Sequence, residues 1–132
     1  MGLDMYLYAR KFVVAARGED SAARDQILAA VDLKLEDVFD GGIYLEVPVA
    51  EWRKAQRVHN WLVNEIQDGN DNCADYFVSH DTLCELRDWC LDEVDQADKN
   101  DLDQLQHTAD ILGKILDNPR LEDCDFMYTS SW

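Results

Sequence analysis

Apolar and polar positions in the first third of the chain predict two strands with a helix between them. Residues 3–14 are rich in aromatic and β-branched side chains, which favours a strand. Residues 43–47 alternate after a turn at residues 40–42, and Pro48 either ends this second strand or places it at a sheet edge. Ser21 is the predicted N-cap of the intervening helix. The apolar positions of that helix are Ala23, Ile27, Leu28 and Val31.

The remainder of the chain predicts three helices and two further strands. A long helix is expected over residues 49–67, and a short strand over residues 76–78. Ser79 is the expected N-cap of a helix that extends to about residue 97, and a last helix covers residues 101–117. A closing strand from Cys124 alternates toward the end of the chain. The apolar face of the first of these helices comprises Trp52, Ala55, His59, Leu62 and Ile66.

This order, β-α-β-α-β-α-α-β, predicts an α+β fold. Short, aromatic and alternating strands favour a small, mostly antiparallel sheet of about four strands, packed against amphipathic helices. A parallel, doubly wound sheet is the competing arrangement. The length of 132 residues and the absence of a linker-like segment predict a single acidic domain over residues 1–132.

The charge of the chain restricts the kind of partner that it can bind. The formal net charge is −16, and residues 67–132 account for −13 of it. Such a surface repels nucleic acid and anionic membranes, so direct binding to either is not expected. The chain has neither a signal-peptide pattern at its start nor an apolar run long enough to cross a bilayer. We therefore expect a cytoplasmic protein.

The most distinctive feature of the sequence is a row of acidic residues on the predicted helix after Ser79. These residues are spaced 4, 3, 4 and 3 apart, so they share one helix face opposite the apolar one. Neighbouring carboxylates at this spacing repel one another by roughly 0.2–0.5 kcal/mol per pair. The row consists of Asp81, Glu85, Asp88, Asp92 and Asp95. The last helix repeats the pattern more sparsely, with Asp103, Asp110 and Asp117 at heptad spacing.

This acidic row suggests a surface that binds a basic protein. Side chains three or four residues apart on a helix lie about 5–6 Å from one another, close to the spacing of phosphates along a nucleic-acid strand. We therefore expect the row, together with Asp103 and Asp110, to occupy the basic groove of a nucleic-acid-binding protein. The alternative is a solvated helix face that keeps the protein soluble.

A second group of residues suggests a different kind of site. Cations on and beside the predicted helix over residues 49–67 could bind a phosphate, or they could neutralise carboxylates of the same chain or of a second copy. His59 lies on the apolar face, which favours a hydrogen-bonded core histidine over a catalytic one. The alternative ligand-binding set comprises Trp52, Arg53, Lys54, Arg57, His59, Asp71 and Cys73.

No cofactor or metal site is predicted. Residues 68–72 offer oxygen ligands at alternate positions, but Cys73 and Ser79 stand where a calcium loop has Gly and Glu. Cys73, His80 and Cys84 lack a fourth zinc ligand, and the sequence has no Cys-x-x-Cys pair. The cysteines are therefore expected to be reduced thiols.

Three stretches of the chain resemble a known group of proteins. They are the opening MGLDMYL, the segment over residues 52–61 with the Asp-Asn-Cys at residues 71–73, and the closing Ser-Ser-Trp. Together they resemble a family of small bacteriophage and prophage proteins of unknown function. The resemblance implies a role in the cytoplasm of a bacterial host, but it carries no catalytic residue.

These observations lead to one expected function and two alternatives. We expect a non-enzymatic phage protein whose acidic helical face binds a basic host protein, in the manner of a DNA mimic or an inhibitor of host defence. The first alternative is a phosphate-binding or small-molecule-binding protein, or an enzyme, that uses the helix with Arg53, Lys54, Arg57 and His59. The second is a homodimeric scaffold or assembly protein.

Overall fold

A computed structural model of the protein describes residues 2–13, 18–37 and 43–132. The eight main elements follow the predicted order. Their bounds are β1 Asp4–Val13, α1 Gly18–Ala30, β2 Ile43–Arg53, α2 Gln56–Ile66, β3 Tyr76–Val78, α3 His80–Glu93, α4 Lys99–Leu116 and β4 Asp125–Ser131. Three single-turn 3-10 helices cover Leu35–Asp37, Val94–Gln96 and Pro119–Leu121.

The prediction of an α+β fold with an antiparallel sheet is confirmed. The four strands form one sheet in the order β2-β1-β4-β3, and neighbouring strands are antiparallel. In the β3–β4 pair, Tyr76 is opposite Tyr128 and Val78 is opposite Phe126. The competing parallel arrangement is thereby excluded.

The described chain divides into two compact units. The larger comprises Met1–Ala9 and Val47–Trp132, and the smaller comprises Arg10–Glu46. Within the smaller unit, the rings of Phe12 and Tyr44 lie 4.8 Å apart, and the Arg10 guanidinium lies over the Tyr44 ring. Arg10 also lies 3.5 Å from the Glu46 carboxylate.

The hydrophobic core of the larger unit forms between one face of the sheet and three helices. Alternate strand residues are buried, as the two-residue period of a strand requires. Each of helices α2, α3 and α4 contributes one apolar stripe. The core residues are Leu3, Met5, Leu7, Ala9, Ala50, Trp52, Ala55, Val58, Leu62, Val78, Leu83, Leu86, Cys90, Leu105, Ala109, Leu112, Ile115, Cys124, Phe126 and Tyr128.

The predicted helix over residues 49–67 is wrong in its first third. Strand β2 continues through Pro48 to Arg53, and helix α2 begins only at Gln56. The local pattern fits a strand because Ala50 and Trp52 are buried while Glu51 and Arg53 are exposed. The three-residue spacing from Trp52 to Ala55 therefore matched a helix only by coincidence.

Pro48 interrupts neither the strand nor the sheet. Strand β2 is an edge strand, where proline is tolerated because one side of the strand has no partner. The strand ends at Arg53. The next residue, Lys54, has a left-handed φ of 56°, and its backbone N–H donates to the Leu3 carbonyl at 2.7 Å. Trp52, Arg53 and Lys54 are consequently not part of helix α2.

The other predicted boundaries differ from the structure by a few residues. Helix α1 begins at Gly18, so Ser21 lies inside this helix and is not its N-cap. The predicted turn at residues 40–42 lies outside the described residues. The predicted N-cap Ser79 is confirmed, since its hydroxyl accepts from the Thr82 N–H at 3.1 Å. Helix α4 begins two residues early because Asp98 caps it through the N–H groups of Asn100 and Asp101.

A buried hydrogen bond joins strand β2 to helix α4. The Trp52 indole donates to the Thr108 hydroxyl at 2.8 Å, and this hydroxyl donates to the Gln104 carbonyl at 2.7 Å. Both side chains are almost completely inaccessible to solvent. The bond therefore fixes the end of β2 against the middle of α4.

Replacing Thr108 by valine is expected to destabilise the protein by about 1–3 kcal/mol, because the buried Trp52 N–H would lose its acceptor while the volume hardly changes. Urea unfolding measures the change. In a Trp52→Phe background, which has no indole N–H, Thr108→Val should cost less than about 0.5 kcal/mol. Equal costs in the two backgrounds would contradict the assignment.

Candidate functional site

Helix α3 presents the predicted acidic row to solvent. Leu83, Leu86 and Cys90 face the core, which directs the opposite side of the helix outward. All five acidic residues of the row are exposed. We call this set, which comprises Asp81, Glu85, Asp88, Asp92 and Asp95, the acidic face.

The acidic face has almost no internal neutralisation. Among the residues that the structure describes, only Asp88 is in an ion pair, with the Nε of neighbouring Arg87 at 3.3 Å. Asp81, Glu85, Asp92 and Asp95 have no cation within ion-pair distance in that part of the chain. Apart from Asp88, these carboxylates therefore have no lysine or arginine among the described residues to offset the repulsion between them.

The acidic face departs from the predicted continuous helix at its far end. Helix α3 ends at Glu93, and Asp95 lies in the following 3-10 turn. Asp81 to Asp92 span about 16 Å of regular helix at 1.5 Å per residue. Asp92 lies in the last turn of α3, which contains no basic residue. A negative charge at a helix C-terminus is destabilised by the helix dipole, so this placement adds to the repulsion.

An exposed leucine borders the acidic face. Leu91 lies three residues after Asp88 on helix α3, which places it beside this carboxylate on the helix surface. Its side chain is 49% exposed. Single exposed apolar residues are common on protein surfaces, so Leu91 adds an apolar contact beside the acidic face but does not by itself mark an interface.

The sparser acidic residues predicted on the last helix, Asp103, Asp110 and Asp117, are also exposed. Asp110 accepts a hydrogen bond from Gln106 at 3.0 Å, and Asp103 lies at the edge of a groove beside Trp52. Asp117, the third residue at this spacing, follows the last residue of the helix. Helices α3 and α4 pack against each other over much of their length.

The cations of the alternative ligand-binding set are divided between two elements and serve different carboxylates. Arg57 on α2 pairs with Glu93 at 2.5 Å and with Asp101 at 3.6 Å, and its guanidinium stacks over Trp89. Arg57 thus links three helices. Arg53 on β2 donates to Asp4 at 3.0 Å, and this hydrogen bond raises the pKa of the guanidinium.

His59 is a buried histidine within a hydrogen-bonded network. Its Nδ1 lies 2.5 Å from the Tyr128 hydroxyl, and its Nε2 lies 2.9 Å from Asp71 Oδ2, at ion-pair distance but out of line for a hydrogen bond. The other oxygen of Asp71 accepts from the Trp132 indole at 2.9 Å. The network therefore joins α2, the loop over residues 67–75 and the end of β4.

Burial keeps the Tyr128 hydroxyl protonated at neutral pH. Desolvation raises the pKa of Tyr128 far above its ordinary value, and the negative charge of Asp71 raises it further. A protonated Tyr128 can donate to Nδ1 of a neutral His59. His59 is only 1% exposed, so this arrangement leaves almost none of the imidazole open to solvent.

The four cysteines lie in different environments. Cys73 is exposed on a left-handed backbone with φ 59°, whereas Cys90 is completely buried and Cys124 nearly so. Burial raises the pKa of the Cys90 thiol to about 12. Because the thiolate is the reactive form, the burial and raised pKa of Cys90 predict a low reactivity in the folded protein.

Alkylation with iodoacetamide at pH 8 is expected to modify Cys73 much faster than Cys90, by at least about a hundredfold, because only Cys73 is accessible and Cys90 carries its proton. Peptide mass spectrometry after timed quenching measures both rates. In urea all four cysteines should react at similar rates. Comparable rates for Cys73 and Cys90 without denaturant would contradict the burial of Cys90.

The structure also reveals partners that sequence patterns did not identify. Tyr128 and Trp132 complete the His59–Asp71 network, and Thr108 binds Trp52. Alternation in the closing strand put Tyr128 on one face with Phe126, but it gave no hydrogen-bond partners for Tyr128, Trp132 or Thr108. The available signal was that a buried tryptophan or tyrosine needs a polar partner.

Comparison with protein-family models, curated proteins and solved structures gives no match to this chain. Within the described residues, no group of three or more histidine, cysteine, aspartate or glutamate side chains could hold a metal ion. No helix in that part of the chain has the length and apolar character needed to cross a bilayer.

Proposed function

We propose that this protein binds a basic protein through its acidic face. The single observation that carries the proposal is that these five carboxylates are exposed and that only one has a cationic partner among the described residues. The repulsion along the row and the acidic end of α3 both oppose folding. A cationic partner would offset both the repulsion along the row and the unfavourable charge at the end of α3 when it binds. Partner binding therefore explains why the protein keeps an arrangement that opposes its own folding.

The partner that fits best is a nucleic-acid-binding protein of a bacterial host. Four carboxylates at three-residue and four-residue spacing along one helix offer negative charge at intervals near those of a phosphate backbone. The protein would therefore compete with nucleic acid for a basic groove, as a DNA mimic or an inhibitor of host defence does. This role places it in the host cytoplasm, in keeping with the phage resemblance.

The contacts of the cations support this function over the alternative ligand site. Arg57 already forms ion pairs with two carboxylates, and Arg53 forms one. His59 is buried. Arg53 is the last residue of β2 and Lys54 follows it, while Arg57 and His59 belong to α2, so the four residues do not share one helix face. No comparable concentration of unpaired positive charge exists in the described chain to bind a phosphate.

Affinity capture from a bacterial lysate tests the proposal when salt is varied. The protein, immobilised through a terminal tag, is expected to retain a protein of high isoelectric point at 50 mM salt and to release it by 500 mM. Exposed charge pairs are screened over about 10 Å at 0.1 M salt and 3 Å at 1 M. The captured protein is then purified and its affinity measured directly. Recovery of only neutral or acidic proteins, or retention that is insensitive to salt, would contradict the proposal.

A further inference from the structure

A cavity lies between the first half of helix α3 and the segment that follows helix α4. It has a volume of about 440 Å³, within the range of roughly 300–1,000 Å³ that is typical of small-molecule sites. None of the residues that line it belongs to the acidic face, so the cavity is a separate feature of the larger unit. The lining residues include His80, Cys84, Arg87, Leu116, Pro119 and Glu122.

The cavity has a cation on one side and two carboxylates on the other. Arg87 lines it from α3, whereas Asp117 and Glu122 line it from the segment after α4. In the described chain, neither carboxylate has a cation within ion-pair distance, and Arg87 pairs only with its neighbour Asp88, through Nε at 3.3 Å. Opposite charges therefore border the same cavity without pairing across it, and the terminal nitrogens of Arg87 keep their donors.

The charged groups of the cavity are accessible to a ligand. The side chain of Arg87 is 30% exposed, and both Asp117 and Glu122 are exposed. Because Arg87 is partly buried, water screens its charge less than it screens the charge of a fully exposed arginine. An anionic group that binds Arg87 is consequently held more strongly than one on the open surface.

Local contacts hold the two walls of the cavity in place. On the α3 side, the His80 ring packs edge-on against Phe126, with 4.9 Å between the ring centroids. On the other side, the Asn118 side-chain oxygen accepts from the Arg120 N–H at 3.0 Å and so caps the 3-10 turn that precedes Glu122. A site that is ordered before binding loses less conformational freedom when a ligand enters.

From these features we infer that the cavity binds a free α-amino acid with an aliphatic side chain. The carboxylate of the ligand would accept from the Arg87 guanidinium, and its ammonium would donate to Asp117 or Glu122. Two carboxylates oppose a simple anion and Arg87 opposes a simple cation, so a ligand with both charges gains most. The aliphatic side chain would lie against Leu116 and Pro119, which are apolar parts of the lining.

Titration of the ¹⁵N-labelled protein with L-leucine tests this inference by NMR. Saturable shifts are expected for backbone amides within residues 80–87 and 116–122, with a Kd of about 1 mM or below. Two half-ligands keep the side chain but lose one charge: 4-methylpentanoate lacks the ammonium, and 3-methylbutylamine lacks the carboxylate. Each should bind at least about tenfold more weakly than leucine. The tripeptide Leu-Gly-Gly, whose two charges lie farther apart, should also bind more weakly.

Matched variants assign the binding to the cavity. Arg87→Gln should weaken leucine binding at least about tenfold, and Asp117→Asn combined with Glu122→Gln at least about fivefold. Arg120→Gln and Asp123→Asn change exposed charged residues that do not line the cavity, so they should leave the affinity within about twofold. Circular dichroism should show the same helix content in all variants.

Four results would overturn the inference. They are the absence of saturable shifts in these two segments, equal binding of leucine and either half-ligand, tighter binding of the tripeptide than of leucine, and unchanged affinity in the cavity variants. Binding to a basic protein through the acidic face is measured separately, so failure of the proposed function leaves these results unaffected.

Discussion

Replacing Asp88, Asp92 and Asp95 together by lysine is expected to weaken partner binding at least about a hundredfold, which corresponds to about 2.7 kcal/mol. The three side chains are exposed, and each reversal turns an attraction toward a basic partner into a repulsion. Leu83, Leu86 and Cys90 on the core side of α3 are unchanged. Titration calorimetry with the captured partner measures the loss.

The control for this prediction is a second triple reversal of equal charge. Glu65, Asp75 and Asp123 are exposed and lie outside α3, and replacing them by lysine changes the net charge from −16 to −10, as the first reversal does. This control should keep most of the affinity. If both variants lost binding equally, net charge alone would explain the interaction and the acidic face would have no specific role. Circular dichroism should show the same helix content in both.

Replacing Leu112 by alanine is expected to lower the free energy of unfolding by about 2–5 kcal/mol. Leu112 lies in the middle of α4, is completely buried and belongs to the core between the helices and the sheet. The change removes buried apolar surface and leaves a cavity that rigid neighbours fill only in part. For a domain with a total stability of about 5–15 kcal/mol, this is a large fraction.

Leu91→Ala is the matched control for Leu112→Ala, because it removes the same atoms from a half-exposed position on α3. It should change the free energy of unfolding by less than about 0.5–1 kcal/mol. Urea unfolding followed by circular dichroism measures both variants. A cost at Leu91 equal to that at Leu112 would show that the outward side of α3 packs against something within the chain.

The fold was predictable from sequence where the apolar residues followed either the two-residue period of a strand or the 3.6-residue period of a helix, but not both. Leu3, Met5 and Leu7 alternate with polar or half-buried residues, so β1 was identified with nearly correct bounds. Ser79 precedes an apolar stripe with helical spacing, so the start of α3 was identified correctly, although the helix ends four residues before the predicted end. Residues 49–53 satisfied both periods, and only the pairing of β2 with its neighbour decides between them. Tertiary pairing, which the local pattern does not contain, therefore set that boundary.

The candidate site was likewise predictable only where it depends on a single helix or strand. The acidic face is a property of one helix, so its spacing was enough to predict which residues share a surface. The pairing of Arg57 with Glu93 and the contact of His59 with Tyr128 join residues 36 and 69 positions apart. Such contacts depend on how helices and strands pack, and they determine that the alternative ligand set is not one site.

The most direct test of the central claim is to measure affinity and stability on the same neutralised variant, with Asp88, Asp92 and Asp95 all replaced by asparagine. Removing three repelling charges from the end of α3 should leave the free energy of unfolding unchanged or raise it by up to about 1.5 kcal/mol. The affinity for the captured partner should fall more than about tenfold, or about 1.4 kcal/mol. A variant that binds the partner as tightly as the original protein would contradict the claim that these carboxylates form the binding surface.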